Sequence, residues 1–136
     1  MKIQILLGVF VLLLGAFVIK QAFFSAEPGG DGQYLYSNLC KDCHGDNGEG
    51  LGTLYPPVAN SDYLKAADIG IACLIRKGHP GGLTVNGKLY VQPMPAFEKL
   101  SPIDITNLLN YLHQNWGNGG KLFKLQDVQR QLDACE

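Results

Sequence analysis

The sequence holds little sulfur and almost no net charge. Two of its 136 residues are methionine (Met1 and Met94), four are cysteine (Cys40, Cys43, Cys73 and Cys135) and three are histidine (His44, His79 and His113). So few cysteines exclude a disulfide-dense miniprotein. Eleven basic against twelve acidic residues give a formal charge of -1, which supplies no basic field for a nucleic acid partner. No second Cys-x-x-Cys and no close Cys/His pair complete a four-ligand zinc site. Gly45, Gly48, Gly50 and Gly52 lack the Lys-Ser/Thr ending of a phosphate loop. The length suits one small core and leaves no room for a second.

What is present begins with an apolar run. Residues 5–19 carry no charge, and the run extends in both directions to residues 3–24. As a helix the longer stretch reaches about 33 Å, against a hydrocarbon core of about 30 Å. Lys20 would snorkel to the interface, with Phe23 and Phe24 near the head groups. A cleaved signal peptide is the competing reading, but cuts after Ala22 or Ala26 put Lys20 or Phe24 where a small residue belongs. Residues 1–26 are therefore expected to be a single-span anchor and its flank, and residues 27–31 a Pro/Gly-rich linker. Either reading places the chain from Glu27 onward outside the cytoplasm. That part carries nine basic and twelve acidic residues, a formal charge of -3.

Residues 40–44 read CKDCH, the attachment signal for a c-type haem. Two thiols one helical turn apart can add to the two vinyl groups on one porphyrin edge. The next residue, His44, is then carried beneath the ring, where its imidazole can ligate iron. A redox dithiol is the rival reading, but that motif usually opens a helix after a buried strand. Here the motif stands near a helix end, followed by glycine-rich loop. For the second axial ligand, Met94 is the only methionine after Met1, and Pro93 and Pro95 restrict the backbone on both sides. His79, in a loop between helices, and His113, inside a helix, are the rivals. His–Met ligation leaves no open position for a substrate and favours ferrous iron. The chemistry it suits is one-electron transfer.

From residue 31 to residue 118 the chain resembles a class I cytochrome c. The resemblance rests on CKDCH, on Gly32 and Tyr36 eight and four residues before Cys40, on PPVANSDYL (56–64) and on PMPAFEKLSPIDITNLLNYLHQNWGN (93–118). It implies an all-α class I cytochrome c fold around one covalent haem c, spanning residues 32–120, with His44 and Met94 on the iron. It implies that Gly32 and Tyr36 cross the last helix near Leu108 and Tyr111. It implies too that the carbonyl of Pro56 or Pro57 accepts a hydrogen bond from the distal ring nitrogen of His44, fixing the tautomer. No likeness is seen for residues 1–26 or 121–136.

Local signals fill in the elements. Leu35, Tyr36 and Leu39 recur at helical spacing in a first helix expected from Gly32 or Gln33 to about Cys43. Ser61 is expected to cap a short helix and Asp68 another, with Ile71, Leu74 and Ile75 inward and Gly78 as its end. Asn86-Gly87 between β-prone arms predicts a small hairpin with an exposed tip. Ser101, Pro102 and Asp104 form a capping-box start for a helix with Ile105, Leu108, Leu109 and Leu112 on its core face. Trp116 is an apolar anchor near its end, packed in the core or against a haem propionate. In residues 121–136, Leu125, Val128 and Leu132 predict an extra amphipathic helix, folded back on its own domain or docked on a partner. Haem attachment leaves Cys73 and Cys135 in an oxidising compartment. They are expected to form a disulfide; free buried thiols or a partner disulfide at Cys135 are the alternatives.

The expected function is a membrane-tethered one-electron carrier and not an enzyme, in the inner (cytoplasmic) membrane with its haem domain on the periplasmic side. Its expected partners are the bilayer and a membrane respiratory complex or periplasmic redox protein. No nucleic acid and no small-molecule substrate at iron are expected. The resemblance implies service to terminal oxidases, quinol-oxidising complexes or periplasmic dehydrogenases, as shuttle or fixed subunit. The alternative is a haem-based ligand sensor or catalytic haem domain with a labile sixth ligand.

Overall fold

The computed structural model describes residues 30–66, 70–120 and 122–135. The expected anchor (1–26) lies outside the described residues, and no helix among those described is long and apolar enough to cross a membrane. The elements run α1 (Gly30–Leu39), α2 (Lys41–His44), α3 (Asp62–Lys65), α4 (Ile71–Lys77), β1 (Leu83–Val85), β2 (Lys88–Tyr90), α5 (Pro102–Gln114) and α6 (Leu125–Asp133). Helix α1 starts at Gly30, within the Pro/Gly-rich stretch.

The core is built where α1 crosses α5. The Ser101 hydroxyl accepts from the Asp104 amide while the Asp104 carboxylate accepts from the Ser101 amide, so the first turn of α5 is closed from both sides. Ile105, Leu108, Leu109 and Leu112 are buried along one stripe, each worth about 1.5–3 kcal/mol relative to exposure. At the crossing, a Cβ on Gly32 would stand 2.3 Å from the Asn107 carbonyl oxygen and 2.8 Å from Tyr111 Cβ. Only glycine lets the two backbones come that close. One turn later Tyr36 fills the adjoining gap. Its ring lies 5.7 Å from Tyr111 and 4.9 Å from Trp116, and its hydroxyl donates to the Gly45 carbonyl at 2.6 Å. Trp116 therefore anchors an aromatic cluster at this crossing.

The short elements hang on this pair. Ser61 caps α3 through the Leu64 amide. The buried Asn118 side chain accepts from the Ser61 amide at 3.0 Å and donates to the Val58 and Leu112 carbonyls, both at 2.8 Å. It thereby ties the end of α5 to the start of α3. α4 begins after Gly70, which offers no side-chain cap; Asp68, the expected cap, lies outside the described residues. β1 and β2 pair antiparallel, Leu83 with Tyr90 and Val85 with Lys88, around Asn86-Gly87. The hairpin tip is exposed but not free. The Asn86 side-chain Oδ1 accepts from the Asp62 backbone amide at 2.9 Å, and the Asp62 carboxylate accepts from the Asn86 backbone amide at 2.8 Å.

The C-terminal extension folds back onto its own domain. Phe123 and Val128 join the core cluster, and the Asn110 side chain pairs with both backbone groups of Phe123. Leu125 faces solvent instead of the core. Its place in the apolar rhythm is taken by Phe123, which precedes the helix. Cys73 on α4 is bonded to Cys135 just beyond α6, with their Cα atoms 5.6 Å apart.

Candidate cofactor site

The site begins with backbone. Between α1 and α2 the amides of Cys40, Cys43 and His44 bond to the carbonyls of Tyr36, Cys40 and Cys40. The chain thus keeps helical spacing through the motif, and residues three and four apart share one face. Cys40, Cys43 and His44 all line one apolar cleft of about 960 Å³, counted with its part open to solvent. The sulfurs of Cys40 and Cys43 are not joined to each other. Burial, and then the neighbouring Cys43, push the Cys40 thiol up to about 12. A redox-active dithiol needs the opposite shift.

Next to the motif, His44 Nδ1 donates to the Pro56 carbonyl at 2.9 Å. The acceptor is Pro56, one of the two candidates; Pro57 lines the cleft beside it. With its proton on Nδ1, the neutral ring keeps its Nε2 lone pair for another partner. Burial holds the imidazole below its ordinary value, partly offset by this hydrogen bond.

Met94 comes to the same cleft from fifty residues away. Its backbone is gripped on both sides: its amide donates to the His79 carbonyl at 2.8 Å and its carbonyl accepts from the His79 amide at 2.9 Å. The neighbouring Gly78 has φ +72°, and a Cβ there would meet the Met94 carbonyl oxygen at 2.4 Å. Glycine is required by both the conformation and the approach.

The two rival histidines part company. His79, expected in a loop between helices, is half-buried and lines the cleft; its Nδ1 accepts from the Gly81 amide at 3.2 Å. His113 is buried away from the cleft, edge-on against Phe123 with ring centres 4.8 Å apart. Sequence reasoning also undervalued the hairpin. Val85 and Tyr90 are buried and form part of the cleft wall. Period-two alternation was the available signal, with Leu83 and Val85 turned inward and Thr84 outward.

The cleft therefore offers two unpaired thiols one turn apart, an imidazole of fixed tautomer, a thioether on a braced arm and apolar walls. That donor set fits a covalent haem, and among the described residues no cluster of His, Cys, Asp and Glu offers a different metal centre.

Comparison with known proteins points the same way. The family model for cytochrome c matches residues 30–116. A cytochrome c-552 of Thermus thermophilus is 30% identical over 128 residues, covering 88% of this chain and 80% of that protein. A second cytochrome c-552 of the same species is 29% identical over 109 residues, covering 74% of this chain and 82% of the other.

Proposed function

This chain belongs to the cytochrome c family, whose members are electron carriers and not enzymes, and on that premise we propose that it is a membrane-tethered one-electron carrier of a respiratory chain. When bound, haem c supplies a one-electron couple at its iron. Cys40 and Cys43 would hold the group by thioether bonds, and His44 and Met94 would ligate its iron. The observation that carries this reading is that one apolar cleft gathers the CKDCH turn and the PMP arm.

Each residue then has a task. The Pro56 carbonyl keeps the His44 proton on Nδ1, so that Nε2 is the ligating atom. The His79 bridge and the flanking prolines hold the Met94 sulfur in place. Val85, Tyr90 and Leu64 keep water from the cleft. His44 and Met94 together would leave the iron no open position for a substrate. Residues 1–26 anchor the domain in the inner membrane, 27–31 link it, 32–120 hold the haem on the periplasmic side and 121–136 form an extension. Tethering raises the local concentration of partners, which are a membrane respiratory complex or a periplasmic redox protein.

The test is a mild-detergent purification of the full chain from membranes, followed by spectroscopy. The expected product carries c-type haem in the pyridine haemochrome assay, shows the weak red band of thioether-ligated ferric haem and binds no carbon monoxide when reduced. Met94→Ala loses the band and gains carbon monoxide binding. Carbon monoxide binding by the unaltered protein at neutral pH would replace this reading with a ligand-sensing or catalytic haem domain. Recovery only in the soluble fraction would remove the tether.

A further inference from the structure

The C-terminal extension grips one element, α4, along its whole length. At its start, where Gly70 provides no side-chain cap, the free Ala72 amide donates to Oε1 of Gln131 at 3.1 Å. In its middle, Cys73 is bonded to Cys135. At its end, the Lys77 amine donates to the Cys135 carbonyl at 2.9 Å. α4 also carries the Met94 arm. The Phe97 amide donates to the Ile75 carbonyl at 3.1 Å and the Arg76 guanidinium to the Leu100 carbonyl at 2.6 Å. The two-sided backbone bridge between His79 and Met94 follows immediately after the helix.

A seven-residue helix does not hold itself in water, so the placement of α4 comes from what packs on it. We propose that the extension, through Gln131 and the Cys73–Cys135 bond, positions the Met94 arm of the cofactor cleft, with α4 as the connecting member. Gln131 and Cys135 are not among the residues that line the cleft; they are positioning residues for the sixth ligand. The inference rests on the reading of Met94 as an iron ligand. It adds that residues beyond the matched family segment, which ends at residue 116, control how often that ligand lets go.

The measure is competition by added imidazole in the ferric holoprotein, followed by loss of the red band. Imidazole binds only when the thioether is off, so its apparent affinity scales with the fraction of open arm. Cys73→Ala with Cys135→Ala is expected to tighten apparent imidazole binding by about fivefold or more, the lower end of usual site-to-site couplings. Gln131→Leu moves it the same way by less. Gln131→Glu, which keeps an acceptor for the Ala72 amide, restores the original affinity. Unchanged imidazole affinity in the double cysteine variant, with its circular dichroism intact, overturns the proposal. If that variant does not fold, Gln131→Leu combined with Lys77→Met decides, and unchanged affinity there overturns it equally. A missing red band in the unaltered protein is a different result and refutes Met94 ligation itself.

Discussion

Cys40 and Cys43 stand three residues apart on one turn, and their sulfurs are left unjoined. Cys73 and Cys135 stand 62 residues apart and are bonded. The short pair is spaced by local helical hydrogen bonds; the long pair is placed by the extension, whose Val128 and Phe123 join the core cluster. One side chain thus serves two purposes, decided by what surrounds it. Where the turn faces an apolar cleft next to an imidazole, two thiols stay available for attachment. Where two elements meet outside the cleft lining, they make a staple.

The comparison breaks most completely at the short pair. Cys40→Ala with Cys43→Ala is expected to yield no covalent haem at all, read by haem staining after denaturing electrophoresis, and little folded protein. The domain is small, and the cofactor completes its apolar core. Retained covalent haem in that variant would assign the attachment to other residues.

At the long pair the effect is graded. Opening a loop of this length costs about 4 kcal/mol in the chain-entropy model. Cys73→Ser with Cys135→Ser should therefore fold and keep its haem but unfold at clearly lower denaturant. An unshifted midpoint with intact cooperativity would mean that α6 packing alone holds the extension.

The smallest effect sharpens the boundary between the extension and the rest of the core. His113 lies beneath Gly120, whose added Cβ would stand 2.7 Å from Nδ1. Neither ring nitrogen has a hydrogen-bond partner of normal geometry among the described residues. Burial lowers its proton affinity below the ordinary 6.5, partly offset by the nearby Leu64 backbone. The unfolded chain then binds the proton more readily than the folded one. The stability from a neutral His113 is complete above the unfolded value and is lost as pH falls through the lowered folded value. Melting temperatures taken downward from neutral pH should fall for the unaltered protein and fall less for His113→Leu. Equal slopes would show that His113 is not the group responsible.

Much of this was legible in the residues. The CKDCH turn, the Ser101 cap and the Asn86-Gly87 hairpin depend on neighbours a few positions away, while the Gly32 crossing was implied by the family resemblance. Such signals survive in a linear string. Two features were less legible. His79 looked like a loop residue because its placement depends on the Met94 bridge, a contact between segments fifteen residues apart. Val85 and Tyr90 looked like an elaboration because a hairpin's buried face is known only when something stands opposite it. The choice of Pro56 over Pro57 as acceptor came from the direction of one carbonyl, which no residue type announces.

By itself the sequence determined the chemistry available: two thiols and an imidazole at fixed spacing, one internal methionine between prolines, and two cysteines left over. Those follow from covalent order and from the short-range geometry of a helical turn. Tertiary structure alone decided which distant groups share a cleft, which carbonyl orients His44 and where the extension lies. Each is a matter of long-range packing, in which a residue's role is set by the surface it meets.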